Sequence, residues 1–221
     1  MPASIIYLNS TIQALLFALV LPTLSYYVAK EFETNALWIG IFFVLTAITG
    51  IFFSQLLGNW SDKLPDRRPL IILGMFSGTI ACLIFSISNS FTISLISAIT
   101  FFSLAFASIG QTFAHARDYA DKHLQARDIV MFNSVLRAFA AFAWVAGPAL
   151  GYISIDIIGF DQHYFIVASL YFLGGLMAWW CLPKVCKVVQ STHIETGDNN
   201  QVIILAIIAF ALLFGCNQTY I

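Results

Sequence analysis

Arg137 stands inside a long apolar run, four residues after Asn133, seven before Trp144 and ten before a Gly147-Pro148 pair. Its guanidinium is permanently charged and carries five donors. Hydrocarbon offers such a group no partner, so it must face a polar cavity or clamp other protein groups. Trp144 presents a flat indole face with a single N–H donor. His115 is the kind of side chain that gains and loses a proton near neutrality. Asn9 and Gln13 lie four residues apart in the first apolar run, and Gln111 precedes His115 by four in another. Their amides both donate and accept, which suits hydroxyl-bearing ligands and helix–helix hydrogen bonds alike. Asn217 and Gln218 bring the same chemistry to the last run. These nine residues are the candidate ligand-binding set, each with a structural alternative: carbonyl binding for Arg137, ordinary packing for Trp144.

The elements that must position them are membrane helices. Of 221 residues, 60% are hydrophobic and only 10% charged, with a mean hydropathy of +0.87. That leaves too little polar surface to cover a soluble globule. A net charge of −1 argues against nucleic acid as a partner. Cys82, Cys181, Cys186 and Cys216 have no metal-ligand spacing, and Cys181 and Cys186 read as free thiols rather than a bridge, so neither metal nor cofactor is expected. With no nucleophile–base or metal constellation, an enzyme is the reading least supported. The N-terminus has no cleavable leader pattern, so its first apolar run is expected to stay as an anchor.

A crossing helix needs about 20 mostly apolar residues. Six complete runs fit, at 5–28, 37–57, 69–88, 91–116, 129–157 and 163–182, and a seventh begins at 201. The expected fold class is therefore all-α integral membrane: a six-helix bundle over 1–182, a polar linker over 183–200, and a partial seventh helix over 201–221. Lys63, Arg67, Arg68, Arg117, Lys122, Arg127, Lys184 and Lys187 follow even-numbered spans, whereas Lys30 alone falls on the other side. The bias puts the N-terminus and the even-numbered loops in the cytoplasm.

At about 100° per residue, Asn9, Gln13, Thr23 and Tyr27 share one face of span 1. Ser97, Thr100, Ser108, Gln111 and His115 share one of span 4, and Asn133, Arg137, Trp144, Gly147 and Gly151 one of span 5. Lipid cannot satisfy these stripes, which should face each other or water. Arg137 lies about eight residues into its run, roughly 12 Å deep and near the midplane where transporters hold substrate. Thr46, Gly50, Ser54 and Gly58 of span 2, with Gly74, Gly78, Gly174 and Gly175, read as small-residue packing faces.

The loop GNWSDKLPDRRPL over 58–70 ends a helix at Gly58, places Asp62 four residues on, and opens the next span with Arg67 and Arg68. It resembles the loop between spans 2 and 3 of the major facilitator superfamily, roughly G-x-L-A-D-R-x-G-R-K, with Trp60 for a leucine, Pro65 near the second glycine and one residue inserted. The resemblance implies a charge latch in which Asp62 holds an inner gate shut against the opposite half. Gly58, Asp62, Arg67, Arg68, Arg117, Asp118, Gly147 and Pro148 are the gating set. Gly147-Pro148-Ala-Leu-Gly151 is similar to the span 5 element of many exporters in that superfamily.

The pieces ARDYAD at 116–121, ARD at 126–128, VMFNSVLR at 130–137 and AWVAGP at 143–148, with WIG at 38–40, PTLS at 22–25 and DRR at 66–68, look like the sugar efflux transporter family. That resemblance implies the first half of a longer bacterial inner-membrane protein of about twelve spans. It would export small sugars or glycosides by alternating access with protons as the coupling ion, the missing C-terminal half being required for transport. Trp144 would then stack on a sugar ring. The alternatives are export of drug-like or other small metabolites, and a truncated, non-transporting membrane fragment or a half that works only as a dimer.

Overall fold

The computed structural model describes residues 2–185. The rest of the expected linker, the partial seventh helix at 201–221, and with it Asn217 and Gln218, lie outside the described residues. Among the described residues every regular element is helical. They are α1 (Pro2–Glu31), α2 (Ala36–Lys63), α3 (Arg68–Ile87), α4 (Phe91–Ser97), which passes through a π-helical segment (Ala98–Phe102) into α5 (Ser103–His123), and α6 (Ala126–Cys181).

Short polar signals set the boundaries. The Asn35 side chain caps α2 by accepting from the Trp38 N–H at 3.2 Å, which satisfies one of the orphan donors of the first turn. α2 does not end at Gly58 but runs five residues further, to Lys63. The stop comes from Pro65, which forces the preceding residue out of the helical region, and Leu64 is extended at φ −92°, ψ 138°. α5 likewise runs on past 116 to His123, so most of the charged stretch at 117–128 is helical and only Leu124 and Gln125 turn.

Five helices are long and apolar enough to cross a membrane, counting α4–α5 as one, among the described residues. The expected count of six complete spans and a partial seventh is not matched. The runs expected at 129–157 and 163–182 fall in a single 56-residue element, α6. Inside it Gly159 has φ 81°, ψ 173°, a conformation open to glycine because it has no Cβ. Phe132 and Leu182, near the two ends of α6, belong to one core cluster with Ile6. A straight helix would hold these ends about 75 Å apart, so the element folds back at Gly159 into two arms.

α1 packs chiefly against α6. Asn9, Gln13, Thr23 and Tyr27 are all buried, as the shared face predicts. Its ring Phe17 stacks on Phe102 and Phe106, with centroids 5.3 and 4.9 Å away. Where α6 meets α1, a Cβ added at Gly147 would stand 2.5 Å from the Ala18 Cβ and 2.9 Å from its backbone carbonyl carbon. At Gly151 it would stand 2.8 Å from the Thr23 methyl. Helices in lipid associate through such close backbone approach. The expected packing stripe of α2 holds only in part: Thr46 and Gly50 are buried, while Ser54 is exposed and nothing lies near Gly58. Trp38 and Trp60 stand exposed near the two ends of α2, about 33 Å apart along it, which matches an aromatic belt at each face of a bilayer.

Gly147→Ala is expected to destabilise the protein by about 1–3 kcal/mol, because the rigid Ala18 backbone cannot yield. Gly110→Ala, with nothing near the added methyl, is expected to be neutral or to stabilise by up to about 1 kcal/mol through helix propensity. Thermal unfolding of the two variants in detergent micelles reads the difference.

Candidate functional site

One end of the bundle is held by a charged cluster. Arg67, at the start of α3, donates from Nε to Asp118 Oδ2 of α5 at 2.7 Å. Its Nη1 donates to Ser61 Oγ of α2 and, at 3.2 Å, to Gln111 Oε1 of α5. Both charged side chains are only 15% exposed. Arg68 donates to Asp66 at 2.6 Å and to the Leu182 carbonyl at the far end of α6 at 3.1 Å. Two adjacent arginines thus join α2, α3, α5 and α6, each through charge-assisted bonds. Arg117, 70% exposed, lies along its own helix, 3.7 Å from Asp121. Asp62 is exposed near the end of α2.

One turn above the charged cluster, α1 crosses α5. Gln13 Nε2 donates to Ser108 Oγ at 2.8 Å, and its Oε1 accepts from Thr112 Oγ1. Asn9 and His115 lie beside this pair, each 1% exposed. At the opposite end the Tyr27 hydroxyl donates to the Ser88 carbonyl at 3.1 Å and stands 3.1 Å from Ser94 Oγ. The polar stripes expected on spans 1 and 4 thus meet at Gln13 and Ser108, whereas Ser97 bonds the Ala81 carbonyl of α3, Thr23 stands 3.4 Å from the Tyr164 hydroxyl of α6, and Thr100 bonds its own helix.

The stripe expected on span 5 divides. Phe132, Leu136, Ala143, Gly147, Gly151 and Ile155 are the buried line of the first arm of α6. Asn133 is half-buried beside that line, Pro148 likewise, while Arg137 and Trp144 are exposed. At about 100° per residue, Asn133, Arg137 and Trp144 fall within about 40° of one another on one flank of the packed line. The other flank carries Phe139, Phe142 and Ile153, all exposed. The first flank also carries exposed Val130 and Val145 and is mixed, whereas these residues of the second are all apolar. Trp144 rests at 44% exposure, edge-on to Phe17 with centroids 5.7 Å apart.

The structure thus separates the seven candidate ligand-binding residues that it describes. Asn9, Gln13 and His115 gather at the α1–α5 crossing, Gln111 joins the charged cluster, and Asn133, Arg137 and Trp144 share an outward flank. Among the gating residues, Arg67, Arg68 and Asp118 bind within this bundle, and Gly147 packs on α1. The sequence reading left out Ser61, Asp66 and Thr112. Thr112 lies four residues after Ser108 and could have been placed on the same face. Ser61 was out of reach once the helix was ended at Gly58.

The family model of the Major Facilitator Superfamily matches residues 6–220. The chain is 33% identical to sugar efflux transporter A of Escherichia coli over 208 residues, 92% of this chain and 53% of that protein. It is 33% identical to sugar efflux transporter B of Salmonella typhimurium over 207 residues, 92% of this chain and 52% of that one. The chain spans about half the length of these relatives. Its fold is similar to the crystal structure of the human organic anion transporter MFSD10, with a TM-score of 0.63 at 16% identity over 83% of this chain and 47% of that one.

Arg67→Ala is expected to cost about 3 kcal/mol, since it leaves a mostly buried Asp118 carboxylate without its cation. Arg117→Ala is expected to cost less than about 0.5 kcal/mol at its exposed position. A double-mutant cycle on Arg67 and Asp118 should return a coupling of about 1–3 kcal/mol from thermal unfolding.

Proposed function

Because the chain belongs to the major facilitator superfamily, we propose that it forms the first half of a secondary transporter that exports small sugars or glycosides by alternating access. The observation that carries this reading is the two-sided first arm of α6. A flank bearing Asn133, Arg137 and Trp144 is costly against lipid, but it suits one wall of an aqueous cavity closed by a second bundle. The apolar flank suits lipid. The two arms of α6 on either side of Gly159 serve as separate crossings, which brings this half to six.

In this reading the charged cluster marks the cytoplasmic end, where Lys and Arg concentrate. Arg67 and Arg68 hold the ends of α2, α3, α5 and α6 as one rigid body, and Asp62 meets the opposite half when the inner gate closes. Alternating access rocks one such body against the other around a site near the midplane. Arg137 offers a fork of donors to substrate hydroxyls, and the Trp144 indole offers a face to the apolar side of a sugar ring. The choice of sugars follows the named activity of the relatives in Escherichia coli and Salmonella, and proton antiport is the coupling proposed with it.

Expression of the intact gene is expected to lower the retention of radiolabelled lactose and glucosides in preloaded cells. Arg137→Ala is expected to raise retention to that of cells without the gene, while the protein still reaches the membrane. Unchanged sugar retention with the unmodified gene, alongside efflux of a drug-like amphiphile, would replace the sugar reading by the other cargo.

A further inference from the structure

Five buried polar atoms on α1 and α5 have no hydrogen-bond partner among the described residues. They are Nδ2 and Oδ1 of Asn9, Oγ of Ser10, and Nδ1 and Nε2 of His115. All three residues are at most 5% exposed. Their level in the crossing is fixed from both sides. Gln13 is bonded to Ser108 and Thr112, and Ile6 shares a core cluster with Ala116, Tyr119 and Ala120. The helices therefore run antiparallel, and Asn9 and His115 fall between these contacts, about 6 Å from Gln13 along α1 and about 4.5 Å from Thr112 along α5.

An orphaned buried donor or acceptor costs about 1–3 kcal/mol, and an apolar crossing would avoid that cost. Polar atoms converging from two helices are what an internal water needs, since it makes 2–4 hydrogen bonds to groups of this kind. We infer that Asn9, Ser10 and His115 form a hydration site inside this bundle, in which water delivers a proton to the His115 imidazole and removes it again. A hydronium ion gives its proton to whichever ring nitrogen holds the lone pair, leaving imidazolium and water, and the reverse step restores both.

The charges around the ring suit this step. α1 presents the neutral Asn9 and Ser10. Asp66 in the loop before α3, Arg67 and Arg68 at its start, and Asp118 of α5 itself are all within electrostatic reach of His115. Two carboxylates and two guanidinium groups sum to zero, so the cluster does not by its net charge forbid a cation. The polar path runs from Asp118 past His115 to Ser108, ten residues of α5 or about 15 Å. It lies within one bundle, apart from the flank of Arg137 and Trp144, and it stands whether or not sugar is the cargo.

The Cε1–H of histidine exchanges in D2O only through the water-exposed imidazolium, and peptide mass spectrometry reads each histidine separately. In the full-length gene product in lipid nanodiscs, His115 is expected to exchange with a sigmoidal pH profile, at a plateau rate within about tenfold of exposed His123. Asn9→Leu, which removes two of the five polar atoms, should slow His115 about tenfold or more and leave His123 unchanged. No exchange at His115, or a rate that does not vary with pH, would overturn the inference, and the unmodified protein decides this even if Asn9→Leu fails to fold. Exchange at His115 in a protein that moves no sugar keeps this site and removes the sugar reading; sugar export with an inert His115 does the reverse.

Discussion

Hydrocarbon makes no hydrogen bonds, and the placement of many polar side chains among the described residues answers to that constraint. Gln13, Ser108 and Thr112 satisfy one another across α1 and α5. Tyr27 does the same with Ser88 and Ser94 at the other end. The arginines at the start of α3 collect the carboxylates of Asp66 and Asp118 and a helix-end carbonyl at Leu182. Polar groups thus hold the bundle at its two ends and at one internal crossing, and apolar packing fills the space between.

That packing depends on shape, because lipid tails are as apolar as leucine and give helices no hydrophobic reason to associate. Gly147 and Gly151 bring the first arm of α6 against α1, and Gly78 gives the Tyr171 ring its place, 2.6 Å from where a Cβ would stand. Gly159 lets the chain double back, so that the second arm returns to the charged end and offers Leu182 to Arg68. These contacts tie α1, α3 and both arms of α6 into one bundle, which is the kind of body that the proposed rocking against a second half requires.

Much of this was legible in the sequence. The stripes on spans 1 and 4 could be read because a helix repeats every 3.6 residues, whatever surrounds it. The family resemblance rested on residues 116–148 and on the 58–70 loop, and the match over 6–220 bears it out. Partner choice was less legible. Arg117 and Asp118 are neighbours in sequence but point about 100° apart, so one reaches Arg67 while the other lies along its own helix. The end of α2 was misplaced because glycine permits a helix to stop without compelling it, whereas Pro65 compels. The span count failed at Gly159, where the two arms of α6 join without an intervening loop.

Central to the account is the claim that the two exposed flanks of the first arm of α6 meet different surroundings, water on the side of Arg137 and lipid on the side of Phe142. Both flanks are open in this bundle, so exposure alone does not distinguish them. Single cysteines at positions 144 and 142, placed in the full-length protein without its native cysteines, can be labelled in membranes with a hydrophilic maleimide. The account predicts rapid labelling of Trp144→Cys and none of Phe142→Cys. Equal labelling of the two, or labelling of position 142 alone, would contradict it.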